Sequence, residues 1–336
     1  MKIALIGPGI ISIPPQGWGA VETVIFDLYN QLKKLGHEVY IINKMRNNPN
    51  DQSNQNTDYC KSLITEINDG NYDFVHLHYD CLYHILPYLN SKKIGITSHY
   101  PYINNEEKHN NDNFKPILDF MINNNKYLNF MVAIKDIEFL IKKGANPKFL
   151  FLLENGIDSD SFIFKENGNL MDKTIYLGQI NERKGQHKYC HLKNIDIIGP
   201  YLDNTSQNRL QNTLINYKGS WSRNDVFNKL TEYGNLLLLS HGEADPLVVK
   251  EALMCGLGVV INATSSKNLL VGTGSDFITI IEDEKMDDLI YIQTKIDENR
   301  QKSILIRPEI KIYAENTFSW KHFIHKYINN ISNFSI

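Results

Sequence analysis

The sequence predicts an α/β fold of two doubly wound domains, each with a parallel sheet covered by helices. The chain has 336 residues, more than one compact domain usually contains. Hydrophobic residues make up 42% and charged residues 22%, the balance of an ordinary globular protein rather than of a disordered or fibrous chain. Short apolar runs alternate with longer amphipathic segments, and this pattern occurs twice. Two such domains imply a deep cleft between them.

The apolar runs locate the strands of both halves. In the first half they predict strands at 3–6, 38–42, 74–77, 95–97, 130–133 and 149–152, with helices such as 20–35 and 136–143. In the second half they predict strands at 174–177, 195–198, 236–239 and 259–261, with helices at 224–232 and 247–255. Residues 43–57 are rich in Asn and nearly free of large apolar side chains, which predicts a mobile surface loop.

The polar stretch between the two patterns suggests where the domains divide. We expect a first domain over residues 1–154 and a second over 155–317. Apolar side chains recur at helical spacing between Phe323 and Ile331. This stripe predicts a C-terminal helix at about 318–336 that packs back on the first domain.

Charge and cysteine content exclude several classes of function. Lys and Arg number 35 against 38 Asp and Glu, so the net charge of −3 disfavours a nucleic-acid partner. The four cysteines are widely spaced, which argues against structural zinc and for a reducing compartment. With no signal-peptide core or long apolar run, we expect a cytoplasmic protein. Lysine pairs at 33–34 and 142–143 leave open a peripheral membrane contact, and the oligomeric state stays open as well.

The first chemically informative loop follows the first strand. It is rich in Pro and Gly, contains Gly17 and Gly19, and leads into a helix whose free N–H groups could face an anion. A dinucleotide fingerprint would need a glycine where Ser12 stands and an earlier helix start. A nicotinamide-dependent oxidoreductase therefore remains only an alternative.

The second loop places His99 directly after an apolar strand. A loop histidine can donate a hydrogen bond or accept a proton, because its ordinary pKa of about 6.5 keeps both forms accessible. His76 and His78 share one face of the preceding predicted strand and could bind a metal, but no third ligand has suitable spacing. We therefore predict no metal site.

The third and fourth loops belong to the second half. Residues 178–185 combine two glycines with Gln179, Arg183 and Lys184, a composition suited to phosphate. The fourth loop contains Glu243 and leads into a helix that contains Glu251. We expect Pro246 in the first turn of that helix, so the N–H groups of the next two residues, Leu247 and Val248, would point at an anion.

Together these segments resemble the retaining nucleotide-sugar glycosyltransferases of family 4, which have two Rossmann-like domains in the arrangement called GT-B. The spacing of Glu243 and Glu251 is similar to the family's Glu-x7-Glu signature, and the run from Ala252 to Val260 follows it as in the family. The other segments that carry the resemblance are 14–22 (Pro-Pro-Gln-Gly-Trp-Gly-Ala-Val-Glu), 36–39 (Gly-His-Glu-Val), 155–158 (Asn-Gly-Ile-Asp) with Phe162, and 178–185.

The resemblance implies a function and a set of site residues. The family transfers a sugar with retained anomeric configuration from a nucleotide sugar to an acceptor, and it generally needs no metal or other cofactor. Glu243 would meet the donor sugar hydroxyls, Glu251 the ribose and Lys184 the diphosphate. His99 would lie near the sugar. The remaining residues implied to bind the donor are Gly17, Gly19, Gln179, Arg183, Leu247 and Val248. The acceptor, whether glycan, glycolipid or small molecule, would meet the first domain.

Three departures from the family pattern keep a second alternative open, that of a weakly active or inactive sugar-nucleotide-binding protein. Gln179 stands where the family usually has Arg, which removes a charge beside the diphosphate. Asp245 and Pro246 replace an aromatic residue and a glycine, so a negative charge is added near the phosphate and an N–H is lost. Few residues separate Gly185 from the next predicted strand, so the helix between them is expected to be short.

Overall fold

The computed structural model describes residues 1–266, 268–269 and 275–335, and they form two compact units. The first unit comprises Met1–Pro15, Gly19–Gly156 and the chain from Trp320 onward, whereas the second comprises Gln16–Trp18 and Ile157–Ser319. The first unit thus extends past residue 154, and Phe318 belongs to the second. The reason is a backbone hydrogen bond of 2.8 Å from Ile157 N to Phe318 O, which holds both residues in the second unit. Residue 336 of the predicted C-terminal helix lies outside the described residues.

The first unit is built on a six-stranded parallel sheet with the order β2-β1-β3-β4-β5-β6. Its strands are β1 (Lys2–Ile6), β2 (Glu38–Ile42), β3 (Phe74–Leu77), β4 (Lys93–Ser98), β5 (Leu128–Met131) and β6 (Leu150–Leu152). Its helices are α1 (Ala20–Lys34), α2 (Asp58–Asp69), α3 (Glu106–Asn111), α4 (Lys115–Asn123) and α5 (Ile134–Lys142). The central strands β1 and β3 are buried along nearly their whole length, which accounts for their mostly apolar sequences.

The second unit is built on a five-stranded parallel sheet with the order β11-β10-β9-β7-β8. Its strands are β7 (Leu170–Leu177), β8 (Ile195–Ile198), β9 (Tyr233–Leu238), β10 (Gly258–Asn262) and β11 (Ile278–Ile281). Its helices are α6 (Gln186–Tyr189), α7 (Asn204–Leu210), α8 (Arg223–Lys229), α9 (Leu247–Met254), α10 (Leu289–Ser303) and α11 (Arg307–Phe318). The sequence prediction missed the edge strand β11, although its run of Ile and Thr is a usable signal.

The last helix, α12 (Trp320–Asn333), is part of the first unit. Trp320 is fully buried against Gly156, where a β-carbon would lie only 2.4 Å from the indole ring. Near the other end of the helix, Lys93 Nζ donates hydrogen bonds to the carbonyl oxygens of Ile331 and Ser332, at 2.6 and 2.8 Å. The lysine therefore compensates the partial negative charge of the helix C-terminus.

Two further predictions can be compared with the structure. The Asn-rich segment 43–57 contains a single helical turn, Pro49–Gln52, which begins at a capping box formed by Asn48 and Asp51. The helix expected to be short after Gly185 is α6, which spans four residues. Across the described part of the chain, no helix is both long and apolar enough to cross a membrane.

Candidate functional site

Two loops of the second unit meet because their strands are neighbours. Strands β7 and β9 run parallel side by side, so the loops that follow them leave the same edge of the sheet. His241 N donates a hydrogen bond of 3.0 Å to the carbonyl oxygen of Arg183, and the Arg183 guanidinium donates to the carbonyl oxygen of Gly242. The 178–185 loop and the loop that contains Glu243 are thus joined directly.

The 178–185 loop holds its shape through side chains that bond to its own backbone. Asn181 Oδ1 accepts a 3.0 Å hydrogen bond from Lys184 N, and Gln186 Nε2 donates one of 2.9 Å to the carbonyl oxygen of Gln179. Gly185 has φ of 63°, in the left-handed region that glycine adopts without strain. Sequence reasoning named Gln179 but missed Asn181 and Gln186, whose polar groups are buried with the loop.

Glu243 is the centre of a buried charge cluster. Its Oε1 lies 3.0 Å from Lys184 Nζ and 3.2 Å from Arg183 NH1. Both Glu243 and Lys184 are buried, at 7% and 9% exposure. Burial works to raise the pKa of the Glu243 carboxyl, but the nearby charges of Lys184 and Arg183 outweigh it, and the pKa is lowered. The carboxylate is therefore ionised at neutral pH and fixed between two cations.

Helix α9 presents an uncapped N-terminus a few residues after Glu243. The helix starts at Leu247, and no side chain caps it. Pro246 is the residue before the helix, with extended backbone, so the prediction that it lies inside the first turn was wrong by one position. Because the first N–H groups of a helix have no partner within it, the N–H groups of Leu247 and Val248 can bind an anion.

Asp245, which sequence reasoning treated as an added negative charge near the phosphate, has a cationic partner. Its Oδ2 accepts a 2.7 Å hydrogen bond from Lys250 Nζ, and both side chains are almost completely buried. The pair joins the second residue before α9 to the fourth residue of the helix. The charge of Asp245 is thus compensated inside the unit, and Lys250 is a site-adjacent residue that the sequence did not single out.

Glu251, the second glutamate of the signature, makes a separate ion pair. Its Oε1 lies 2.5 Å from NH1 of Arg223, the first residue of α8, and the Glu251 side chain is 5% exposed. Glu243 and Glu251 therefore have different cationic partners. Arg223 was not predicted, because nothing in its local sequence indicates that α8 and α9 come together.

The glycine-rich loop after β1 divides between the two units. Residues Gln16–Trp18, which include Gly17, group with the second unit, where Arg223 N donates a 3.1 Å hydrogen bond to the carbonyl oxygen of Gln16. Gly19 belongs to the first unit, immediately before α1, with φ of 149°. L side chains rarely adopt this φ, so a larger residue at position 19 would be strained.

Three histidines lie together at the carboxyl ends of β3 and β4 in the first unit. The ring of His78 lies 4.0 Å from that of His76 and 6.0 Å from that of His99, measured between centroids. Burial lowers the pKa of His99 to about 4, so this side chain is neutral at physiological pH. Among the described residues, both ring nitrogens of His78 and Nε2 of His99 are buried without a hydrogen-bond partner.

His76 offers no free ring nitrogen that could bind a metal together with His78. His76 uses both ring nitrogens, Nδ1 toward Tyr327 Oη and Nε2 toward Thr97 Oγ1, each at 2.7 Å. No group of three or more His, Cys, Asp or Glu side chains able to hold a metal occurs in the part of the chain that the structure describes. His76 instead connects β3 and β4 to helix α12.

The structure brings together some of the predicted site residues. Glu243, Lys184 and Arg183 form one cluster, with Gln179 in the same loop as the two cations. Leu247 and Val248 open the helix that also contains Glu251. His99 and Gly19 lie in the first unit.

No protein-family model matches the chain, and its sequence has no significant match among curated proteins. Solved structures do match it. HepE from Anabaena, in complex with UDP and glucose, has a TM-score of 0.74 at 14% identity over 99% of this chain and 100% of that one. Sucrose-phosphate synthase from Thermosynechococcus elongatus has a TM-score of 0.74 at 12% identity over 98% of each chain. WaaG, a glycosyltransferase involved in lipopolysaccharide biosynthesis, has a TM-score of 0.67 at 14% identity over 99% of this chain and 100% of that one. With its two parallel sheets, the chain has the GT-B fold.

Proposed function

We propose that the protein is a retaining glycosyltransferase of family 4 that transfers a sugar from a nucleotide-sugar donor to an acceptor hydroxyl. The observation that carries this proposal is the buried cluster of Glu243, Lys184 and Arg183, which precedes the uncapped N-terminus of α9. The GT-B fold supports it, as do structural neighbours solved with UDP, with UDP and glucose, and with UDP-glucose. The Glu-x7-Glu spacing of Glu243 and Glu251 supports assignment to family 4.

The donor diphosphate would bind where positive charge and free N–H groups are available together. Lys184 supplies an ammonium group and the N–H groups of Leu247 and Val248 supply hydrogen bonds. As the glycosyl bond breaks, negative charge builds up on the departing phosphate. Groups fixed in advance by the protein stabilise that charge without having to reorganise. Arg183 would reinforce this field where Gln179 lacks a charge.

Glu243 would bind hydroxyl groups of the donor sugar, and the family resemblance implies the same role for His99. An ionised carboxylate accepts hydrogen bonds from hydroxyl groups, and a neutral imidazole can donate or accept one. We infer front-face attack by the acceptor hydroxyl, whose proton passes to the departing phosphate oxygen. This course retains the anomeric configuration and requires no enzyme nucleophile. Charge stabilisation by Lys184 and the helix N-terminus supplies the chemistry, and no metal takes part in it.

The two halves of the chain would have different tasks. The second unit would bind the nucleotide sugar, while the first unit, which includes α12, would receive the acceptor. The acceptor would be a glycan, a glycolipid or a small molecule. A glycolipid acceptor would bring the protein to a membrane surface, to which the lysines at 33–34 and 142–143 could contribute.

The two alternative functions gain no support from the described residues. The argument for a weakly active protein rested in part on the charge of Asp245, and Lys250 compensates that charge. The nicotinamide hypothesis needs a helix that opens directly at the glycine-rich turn after β1, but α1 starts only at Ala20.

The test is an activity assay with a panel of nucleotide sugars, including UDP-glucose, in which nucleotide release is measured with and without simple glycan acceptors. We expect release with at least one donor, and the anomeric configuration of the product, read by NMR, should match that of the donor. Inversion would refute the retaining assignment alone. A folded protein that binds no nucleoside diphosphate and turns over no donor would refute the whole proposal.

A further inference from the structure

Arg223 is the first residue of α8, and its side chain reaches across to α9. Ser222 caps α8 and forms a capping box with Asp225, which fixes where the helix starts. From this position the guanidinium NH1 comes within 2.5 Å of Glu251 Oε1. The pair is largely shielded from water, since the side chains of Arg223 and Glu251 are 18% and 5% exposed. Such a shielded, charge-assisted hydrogen bond is stronger than a surface ion pair.

The Arg223 guanidinium lies close to the rings of two aromatic residues. Its central carbon lies 4.6 Å from the ring centroid of Phe227, one turn further along α8, and 5.7 Å from that of Phe162. The two rings pack edge to face, with centroids 5.0 Å apart and an interplanar angle of 89°. Arginine stacks on aromatic faces in this way, whereas lysine has no planar group to stack. The guanidinium therefore has a defined orientation before any ligand binds.

This arrangement determines how Glu251 can meet a ligand. Arg223 hydrogen-bonds to Oε1, so Oε2 is the carboxylate oxygen that it leaves to another donor. We propose that Arg223 is a positioning residue, which orients the Glu251 carboxylate so that Oε2 accepts a hydrogen bond from the ribose of the donor nucleotide. By this means it sets the preference for a nucleotide with intact ribose hydroxyls. The inference rests on the proposed function, in which Glu251 meets the ribose.

The test compares the binding of UDP with that of 2′,3′-dideoxy-UDP by isothermal titration calorimetry, using the full chain. We expect the wild-type protein to prefer UDP by about 10- to 100-fold, the value of a hydrogen bond to a charged group. In Arg223→Ala the preference should fall below about threefold, because UDP binds more weakly while binding of the dideoxy compound changes little. Arg223→Lys, which keeps the charge but loses the stacked plane, should fall between the two.

Two controls separate positioning from a general structural effect. Lys229→Ala removes an exposed ion pair with Asp225 on the same helix and should leave the preference unchanged. Phe227→Leu should reduce the preference without removing any charge. The inference is wrong if Arg223→Ala and Arg223→Lys keep the wild-type preference, or if the wild-type protein binds UDP and its dideoxy analogue equally. In either case UDP still binds, so the proposed function would stand; loss of all nucleotide binding by the wild-type protein would remove both.

Discussion

At the scale of single residues, Glu243 lies between Lys184 and Arg183, and its ionised carboxylate contacts both cations before a donor arrives. We expect Glu243→Ala to lower the rate of sugar transfer by on the order of 10²- to 10³-fold, the loss seen when one preorganised contact to a transition state is removed. Steady-state measurement of nucleotide release with a saturating acceptor would check this.

The matched control for Glu243 is Glu182, which lies in the adjoining loop but is exposed and pairs with Arg209. Glu182→Ala should leave the rate within about twofold of wild type, since exposed ion pairs contribute little. A change of less than about threefold in Glu243→Ala would contradict the role assigned to this carboxylate.

The buried histidines of the first unit make its stability sensitive to acid. Burial lowers the pKa of His99 to about 4 and holds the pKa values of His76 and His78 well below their usual range. The folded state therefore binds these protons less readily than the unfolded state, whose histidines titrate near 6.5. The stabilisation is fully present above about pH 6.5 and declines as the pH falls toward 4.

Urea unfolding between pH 8 and pH 5 would measure this effect. His78→Phe replaces a buried imidazole that would have to be charged, so the unfolding free energy of this variant should fall less steeply with decreasing pH. His191→Ala, at an exposed position, is the control and should keep the wild-type slope. Equal slopes in all three proteins would show that His78 does not contribute to the acid sensitivity.

At the scale of elements, the start of helix α9 depends on the buried pair of Asp245 and Lys250. Lys250→Ala should destabilise the protein by about 3–5 kcal/mol, because an uncompensated carboxylate is left in a buried position. The double change Asp245→Leu with Lys250→Met should cost much less and could be neutral or stabilising. Denaturant unfolding of both variants would check this, and similar losses in the two would show that the charge of Asp245 is not the cause.

Helices and strands could be predicted where a short stretch of their own sequence indicates them. The apolar runs of β1, β3 and β8 and the motif that opens α9 indicated their positions within a residue or two, because burial on both faces gives a continuous pattern. Order and spacing of the loops likewise pointed to the GT-B fold. Local patterns also identified the loop that contains Lys184 and the position of Glu243 after a strand.

The pairings between elements could not be predicted. Arg223 with Glu251, and Asp245 with Lys250, depend on which helix and loop faces come together, which no short stretch of sequence specifies. The same holds for Gln186, whose amide supports the 178–185 loop from the helix that follows. The sequence therefore showed the negative charge of Asp245 but not the lysine that compensates it.

At the scale of the whole molecule, a bound nucleotide should stabilise the fold, since the proposed diphosphate site of Lys184, Leu247 and Val248 exists only in the folded chain. UDP at about 100 times its dissociation constant should add about 2.7 kcal/mol to the free energy of unfolding, seen as a higher melting temperature. Lys184→Ala should reduce this increase and make it less dependent on salt. Calorimetry at two salt concentrations would check both, and an unchanged increase in Lys184→Ala would place the phosphate-binding cation elsewhere.

The order in which the chain passes through the two units determines which unit can finish folding first. The main segment of the second unit runs from Ile157 to Ser319, and these two residues form an isolated parallel β-bridge. Once residue 319 has left the ribosome, the whole segment Ile157–Ser319 of the second unit is available to fold. The first unit still lacks Trp320, which covers Gly156, and Tyr327, which hydrogen-bonds to His76. The half that is synthesised first should consequently be the last to reach its native packing.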